Sequence, residues 1–372
     1  MPSYGRRRSI KPIDLVLVAL LAALLGAFGS SYILMRHVDE RFAVLQSEVQ
    51  GCTAVQVDAL FSVRAVVEKL MGSVVKISST AQAELRLGIL GLELYRSRKL
   101  GSGVIFDEAG YILTNHHVVE DAAEIVVELQ DGRTFAATVV GSDQYSDLAV
   151  LKIDAKNLTA ARLGDSSAIR VGDVAIAIGN PHGYDYSVTQ GIISAVRERV
   201  TIDGQLVDVI QTDASINPGN SGGALVNSSG EVIGINTYVV QGAQGLGFAI
   251  PANDASRVAR DLIEHGYVVW PWSGISQIYA LRAAEARRLG LSVDHGALVT
   301  AIAAGGPAEK AGLRRGDVIV EVNGDAVTTG EEIVYHLRKA RVGDRLRLKV
   351  VRETREIEIV IELEAGSTGY RV

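Results

Sequence analysis

Asn217-Pro218-Gly219-Asn220-Ser221-Gly222-Gly223-Ala224-Leu225-Val226 sets a serine among small residues and then runs straight into an apolar, strand-like segment. Glycine admits positive φ angles and close backbone approach. Such a loop can present a hydroxyl at a surface while aiming backbone N–H groups at one point. The turn Gly219-Asn220-Ser221 is therefore the candidate oxyanion hole, with Gly219 and Ser221 the expected N–H donors to an acyl-transfer intermediate. Alone, the stretch reads as well as a Gly-rich hairpin loop. A nucleophilic serine needs a base, and the base needs an orienting carboxylate.

Both are present upstream. Thr114-Asn115-His116-His117-Val118-Val119 places histidine between apolar runs, and Ser146-Asp147-Leu148-Ala149-Val150-Leu151 opens a strand with aspartate. His116 and His117 are neighbours, so only one can face the serine. Asp165, Asp173 and Asp213 compete with Asp147, but the first two sit in Gly-containing turns where aspartate serves the backbone, and Asp213 can cap the turn before the serine loop. The order His, Asp, Ser is one of several in which a triad occurs. Together the motifs resemble the HtrA (Deg) family of serine proteases, whose pattern runs Thr-Asn-x-His-Val, Asp-Leu-Ala-Val and Gly-Asn-Ser-Gly-Gly. The resemblance implies His117 as base, Asp147 as orienter and Ser221 as nucleophile. Gly245-Leu246-Gly247-Phe248-Ala249-Ile250-Pro251 matches the family's closing strand, and the likeness extends over about residues 60 to 365. His182, His265, His295 and His336 lack such context and read as surface residues.

The chain has 372 residues and 48% hydrophobic content, enough for two or three domains with their own cores. A net charge of −6, with basic residues scattered beyond an N-terminal cluster, gives no footprint for nucleic acid. The single cysteine, Cys52, excludes an intramolecular disulfide. No Cys/His cluster has metal-ligand spacing, and neither metal nor cofactor is expected.

Arg6-Arg7-Arg8 and Lys11 precede an uncharged run from Leu15 to Met35. About 20 apolar residues span a bilayer as helix. The positive-inside rule puts residues 1–14 in the cytoplasm and everything after Met35 outside. An uncleaved signal anchor over 15–35 is expected; Ala27-Phe28-Gly29 and Gly29-Ser30-Ser31 are the sites at which cleavage would occur instead. Residues 36–61 read as a stalk in which Val38, Phe42, Leu45, Val49 and Cys52 recur at helical spacing.

The segment 62–265 reads as mainly β. Ser79 to Leu100 has no period and is expected to be a surface loop. Asp131-Gly132 marks a hairpin between Glu124–Gln130 and Arg133–Val140. Short strands at regular spacing argue for barrels or a sandwich; the resemblance narrows this to two six-stranded barrels of chymotrypsin-like type with the triad between them. Ala252 to His265 carries apolar residues at helical spacing, and 266–272 reads as a linker.

From 273 to 365 strand signals alternate with two helical stretches. Pro307 opens a one-turn helix that ends before Gly312. Asn323-Gly324 is a hairpin turn, and Thr329 with Glu332 forms a capping box for a helix carrying Ile333, Val334 and Leu337. Gly306-Pro307-Ala308-x-x-Ala311-Gly312-Leu313-x-x-Gly316-Asp317-Val318-Ile319 resembles a bacterial PDZ domain (α+β), permuted as in the HtrA family. Trp272-Ser273-Gly274-Ile275 stands where the family's carboxylate-binding loop lies, with Ile333 and Leu337 across the groove. Residues 366–372 read as a disordered tail.

One anchor, one protease domain and one PDZ domain look most like the family's DegS-like branch. That likeness implies a homotrimeric, periplasm-facing serine endopeptidase of the bacterial inner membrane. Its partners would be unfolded or membrane-bound protein substrates, an anti-sigma factor among them, and C-terminal peptides of misfolded envelope proteins that bind the PDZ domain. A preference for small or medium aliphatic residues is implied, with Tyr238 to Gly247 as pocket wall and Asn180 to Thr189 as regulatory loop. The family commonly carries an arginine where this chain has Glu198; the expectation is that either Arg197 or Arg199 substitutes for it, or that activation is wired differently. The alternatives are a general quality-control protease or chaperone, and a non-catalytic peptide-binding scaffold.

Overall fold

The computed structural model describes residues 62–366 apart from 83, 89–90, 96, 181–185, 203–204, 218 and 240–244, together with 16, 20, 23, 26, 36 and 41. The expected anchor (15–35), the stalk (36–61) and the tail beyond 366 therefore fall almost wholly outside the described residues. Among the described residues no helix is long and apolar enough to cross a membrane.

Helix α1 (Val63–Leu70) buries Val66 and Leu70 and passes through the 3-10 turn Met71–Ser73 into β1 (Val74–Ala81). The stretch expected to be a surface loop instead holds a regular hairpin, β2 (Glu84–Gly88) with β3 (Gly91–Tyr95). Glu84-Leu85-Arg86-Leu87 and Leu92-Glu93-Leu94 alternate polar with apolar residues, a strand period that the mixed stretch around them obscures. There follow β4 (Arg98–Asp107), β5 (Tyr111–Thr114), helix α2 (His116–Val119), β6 (Ala122–Glu128), β7 (Thr134–Ala136), β8 (Thr138–Asp143) and β9 (Leu148–Lys152).

Seven of these strands form one sheet in the order β7-β6-β1-β4-β5-β9-β8. Its two ends, β7 and β8, are joined through the single residue Ala137, whose N–H still bonds to Ile125 at 2.9 Å. They are one bent strand, pairing first with β6 and then with β9, so the sheet returns on itself. The expected six strands appear as seven because of that bend. Ile77, Ile105, Ile112 and Leu151 fill the interior and are fully buried. Burial of each such side chain stabilises by about 1.5–3 kcal/mol.

The second sheet is a closed barrel of β10 (Val174–Gly179), β11 (Ser187–Ile202), β12 (Gln205–Thr212), β15 (Gly247–Pro251), β14 (Val232–Val239) and β13 (Ala224–Val226). Ala175, Ala177, Ile193, Ile210 and Leu225 pack inside it. Helix α3 (Ala252–His265) buries Ala255, Val258, Ala259 and Leu262 as its spacing predicts, and Gly266 ends it at φ +81°.

The C-terminal module holds β17 (Ile275–Leu281), α4 (Ala283–Arg288), β18 (Gly296–Ile302), α5 (Pro307–Lys310), β19 (Val318–Val322), β20 (Asp325–Ala326), α6 (Gly330–Lys339), β21 (Arg345–Arg352) and β22 (Arg355–Glu362). The sheet runs β17-β18-β19-β21-β22, leaving β17 at an edge, and β20 pairs with β19 around Asn323-Gly324. Thr329 and Glu332 make the expected capping box on α6. The linker expected over 266–272 ends in β16 (Pro271–Trp272), which pairs with β23 (Glu364–Ala365).

Candidate active site

The site begins where β5 ends. Asn115 leaves the sheet and α2 turns His117 toward the cleft, its side chain 42% exposed. Asp147 sits on the turn between β8 and β9 at φ +52°, a left-handed conformation that aspartate and asparagine tolerate better than other residues. Its carbonyl is held by the N–H of His116 at 3.1 Å and by Asn115 Nδ2 at 3.0 Å. The carboxylate is buried, and a buried charge requires partners. It has three: the His117 N–H at 3.1 Å, His117 Nδ1 at 2.9 Å and Thr237 Oγ1 at 2.7 Å. A carboxylate on Nδ1 makes that nitrogen the donor and leaves Nε2 to act as a base.

Thr237 closes the circuit: its carbonyl accepts the Ser221 hydroxyl at 3.2 Å while its own hydroxyl donates to Asp147. Sequence reading missed it. The signal was there, two polar residues (Asn236 and Thr237) inside the otherwise apolar strand β14, both buried.

The serine loop is stitched to the first barrel through Ser102 on β4. The Ser102 N–H donates to the Ser221 carbonyl at 2.8 Å, and its hydroxyl donates to the Gly219 carbonyl at 2.6 Å. Gly219 has φ +101° and Gly222 φ +80°, and a Cβ on Gly222 would meet the Ser102 carbonyl at 2.2 Å. Among the described residues the N–H groups of Gly219 and Ser221 have no hydrogen-bond partner. Asn220, grouped with them as an oxyanion donor on sequence grounds, is different: its N–H is committed to the Asn217 carbonyl at 2.9 Å. Asp165 and Asp173 serve their own turns, taking the Ser167 N–H at 2.9 Å and the Arg170 N–H at 2.7 Å. Asp213, expected to cap the turn before the serine loop, instead takes the Ile192 N–H of β11 at 2.7 Å, and the Ala214 N–H of that turn goes to Thr212 Oγ1 at 3.1 Å.

Residues 101–235 match the family profile of a trypsin-like peptidase domain, and residues 298–352 that of a PDZ domain. A probable periplasmic serine endoprotease, DegP-like, of Chlamydia muridarum is 46% identical over 264 residues, covering 70% of this chain and 53% of that protein. The chain thus spans about half the length of the DegP-like relatives it matches. The putative serine protease HhoA of Synechocystis is 43% identical over 275 residues, with 70% of each chain covered. The solved structure of the HtrA-type protease AlgW with a decapeptide superposes with a TM-score of 0.67 at 38% identity, covering 82% of this chain and 99% of that one. The chain belongs to the HtrA family of serine proteases.

In this HtrA chain the PDZ module packs on the second barrel through α6. Asp208 on β12 receives the Tyr335 hydroxyl at 2.7 Å and forms an ion pair with Lys339. Arg199, on a bulge of β11, pairs with Asp325 and lies 5.2 Å from the centre of the Tyr335 ring. Arg199, one of the two arginines beside Glu198, thus reaches the PDZ module with its side chain. His336, expected at the surface, is buried beneath this contact, 3.6 Å from Asp325. Burial lowers its pKa, and Arg199 lowers it further.

Two cavities flank α6. The larger, about 660 Å³, runs between β17 and α6 and is lined by Ile275, Ile278, Val334 and Leu337. Tyr145 and Leu206 of the protease barrels also line it. Ile333, expected on this face, is instead buried in the PDZ core. Of the expected carboxylate-binding loop, Ile275 reaches the groove. Trp272 pairs with Glu364, and the Ser273 and Gly274 carbonyls bind the N–H groups of Ala308 and Ala303, each at 2.8 Å. The smaller cavity, about 120 Å³, lies behind the catalytic constellation and is lined by Asp147, Thr237, Asp208, Asp254, Tyr335 and Arg338. The expected pocket wall at 240–244 and the expected regulatory loop at 181–185 lie outside the described residues.

Proposed function

We propose that this chain is a serine endopeptidase of the cell envelope whose activity is set by peptide C-termini on its PDZ domain. The continuous hydrogen-bonded path His117–Asp147–Thr237–Ser221 carries the reading. Ser221 attacks the scissile carbonyl as its proton passes to His117 Nε2, and Asp147 steadies the imidazolium. The N–H groups of Gly219 and Ser221 hold the oxyanion. Collapse of the tetrahedral adduct expels the amine with the proton from His117, leaving an acyl-enzyme. Water, deprotonated by the same imidazole, then releases the acid.

The uncharged run 15–35 would anchor the chain in the inner membrane with both domains in the periplasm, as a homotrimer. The name of the DegP-like relative supports the compartment. AlgW solved with a decapeptide supports peptide control. Candidate substrates are unfolded envelope proteins and a membrane-bound regulatory protein such as an anti-sigma factor. The test uses the full chain with an unfolded protein substrate, against Ser221→Ala, with and without a peptide ending in a hydrophobic residue. Serine-dependent cleavage that peptide accelerates is expected. No cleavage under any condition would replace the enzyme with a peptide-binding scaffold.

A further inference from the structure

Ser102 is fully buried on β4, and its backbone and its side chain are all engaged. Its N–H donates to the Ser221 carbonyl at 2.8 Å, and its carbonyl accepts the Thr114 hydroxyl at 2.7 Å. Its hydroxyl accepts the N–H of Asn180, the residue after β10, at 2.8 Å. A hydroxyl carries one proton. An amide N–H only donates and a carbonyl oxygen only accepts. With Asn180 on one side, that proton is directed to the Gly219 carbonyl, 2.6 Å away.

The Gly219 carbonyl matters because of the N–H on the same residue. The peptide unit between Gly219 and Asn220 is gripped at both ends, its C=O by Ser102 and its N–H by the Asn217 carbonyl at 2.9 Å. The preceding peptide unit supplies the Gly219 N–H, which has no hydrogen-bond partner among the described residues. Two soft dihedrals relate one unit to the other. At φ +101° and with no Cβ, Gly219 does not fix them by its own sterics. The grip on its carbonyl does.

Among the described residues no second donor reaches that carbonyl. Nor is there space for a substitute. The end of β10 lies so close to the serine loop that a Cβ on Gly179 would meet Asn220 Oδ1 at 2.4 Å. Deleting one oxygen from such packing does not open the room a water needs. The carbonyl would be left buried and unpaired, which favours its turning away and carrying the Gly219 N–H with it.

We propose that the Ser102 hydroxyl is the positioning group of the oxyanion hole: it fixes the Gly219 carbonyl and so aims the Gly219 N–H at the oxyanion. The nucleophile is held separately, by the Ser102 N–H on the Ser221 carbonyl. The bonds among His117, Asp147 and Thr237 do not involve Ser102. Ser102 thus acts on one half of the machinery and leaves the other alone. The inference rests on reading the Gly219 N–H as an oxyanion donor.

The test sets steady-state kinetics of the full chain in detergent, on a fluorogenic peptide, beside inhibition by acetyl-Ala-Ala-valinal and acetyl-Ala-Ala-valinol. Ser221 Oγ adds to the aldehyde carbon, its proton passes to His117, and the former carbonyl oxygen becomes an oxyanion in the hole. The alcohol forms no such bond. Ser102→Ala should lower kcat about 10- to 100-fold, short of the roughly 10²–10³ that deleting an oxyanion donor outright costs. Aldehyde affinity should fall by the same factor, with KM and alcohol inhibition unchanged. The kcat/KM pH profile should keep its midpoint, because the imidazole and its carboxylate are untouched. Ser102→Cys, with a weak S–H donor, should lie between the two and serves in place of Ser102→Ala if that chain does not fold. Equal weakening of aldehyde and alcohol, or a loss carried wholly by KM, would mean that Ser102 only supports the fold of the cleft, and the proposal fails. Unchanged aldehyde affinity overturns it as well. An unsubstituted enzyme that cleaves the peptide yet binds aldehyde and alcohol equally would remove Gly219 from the oxyanion hole, and the Ser102 assignment with it.

Discussion

Thr237 donates its hydroxyl to Asp147 Oδ2 at 2.7 Å from 90 positions along the chain. A hydrogen bond to a buried charge contributes about 1.5–3 kcal/mol. Thr237→Val keeps the shape and deletes the donor, so kcat/KM should fall about 10- to 100-fold. Thr237→Ser should recover most of it. Steady-state kinetics on a fluorogenic peptide reads both, and an unchanged Thr237→Val enzyme would remove Thr237 from the catalytic support.

Asp147→Asn should leave the fold intact, because asparagine tolerates the φ of +52° and can still accept from Thr237. It cannot hold His117 in the right tautomer. The expected loss in kcat is about 10⁴-fold, with thermal stability little changed.

Gly222→Ala should damage the serine loop rather than merely slow the chemistry. The new methyl would meet the Ser102 carbonyl at 2.2 Å and Thr114 Oγ1 at 2.4 Å, backbone and buried side chain that have nowhere to go. Destabilisation above about 3 kcal/mol is expected by chemical denaturation.

Asp254 lines the small cavity, where burial raises its pKa above the ordinary 3.8 and Arg257 partly offsets this. A carboxyl with a raised folded pKa favours folding below 3.8, and that contribution disappears as pH rises through the folded value. Asp254→Asn should therefore be neutral to stabilising at pH 7, with the gain shrinking as pH falls toward 4. Melting temperatures across that range would check it, and a gain that grows on acidification would contradict the burial of this charge.

Asp208 gathers three donors, Tyr335, Lys339 and the Arg199 N–H, at the contact between PDZ module and barrel. Asp208→Asn should loosen α6 from β12. The expected outcome is altered basal cleavage and a smaller response to peptide, with Ser221 labelling by a fluorophosphonate retained.

The motif residues were legible because local chain chemistry marks them: glycines around Ser221, apolar runs flanking His117 and Asp147, and the α3 spacing of Ala255, Val258, Ala259 and Leu262. What escaped reading was set by tertiary contact. Ser102 and Thr237 are small polar residues whose roles come from packing across the cleft. His336 was misread as exposed because the barrel surface that covers it is distant in sequence. Asn220 was overcounted because composition shows a donor but not where its N–H points. The hairpin β2–β3 was marked only by two short alternating runs, Glu84–Leu87 and Leu92–Leu94, too brief to stand out from the mixed stretch around them.

The pairing of Pro271–Trp272 with Glu364–Ala365, reinforced by the Gly366 N–H on the Trp270 carbonyl at 3.0 Å, brings the chain into and out of the PDZ module at one point. A module with a shared doorway behaves as a cassette. It can be excised, exchanged or duplicated there without rerouting the barrels, and a pull on the chain beyond residue 366 would load this short two-stranded clasp before it reached the catalytic cleft.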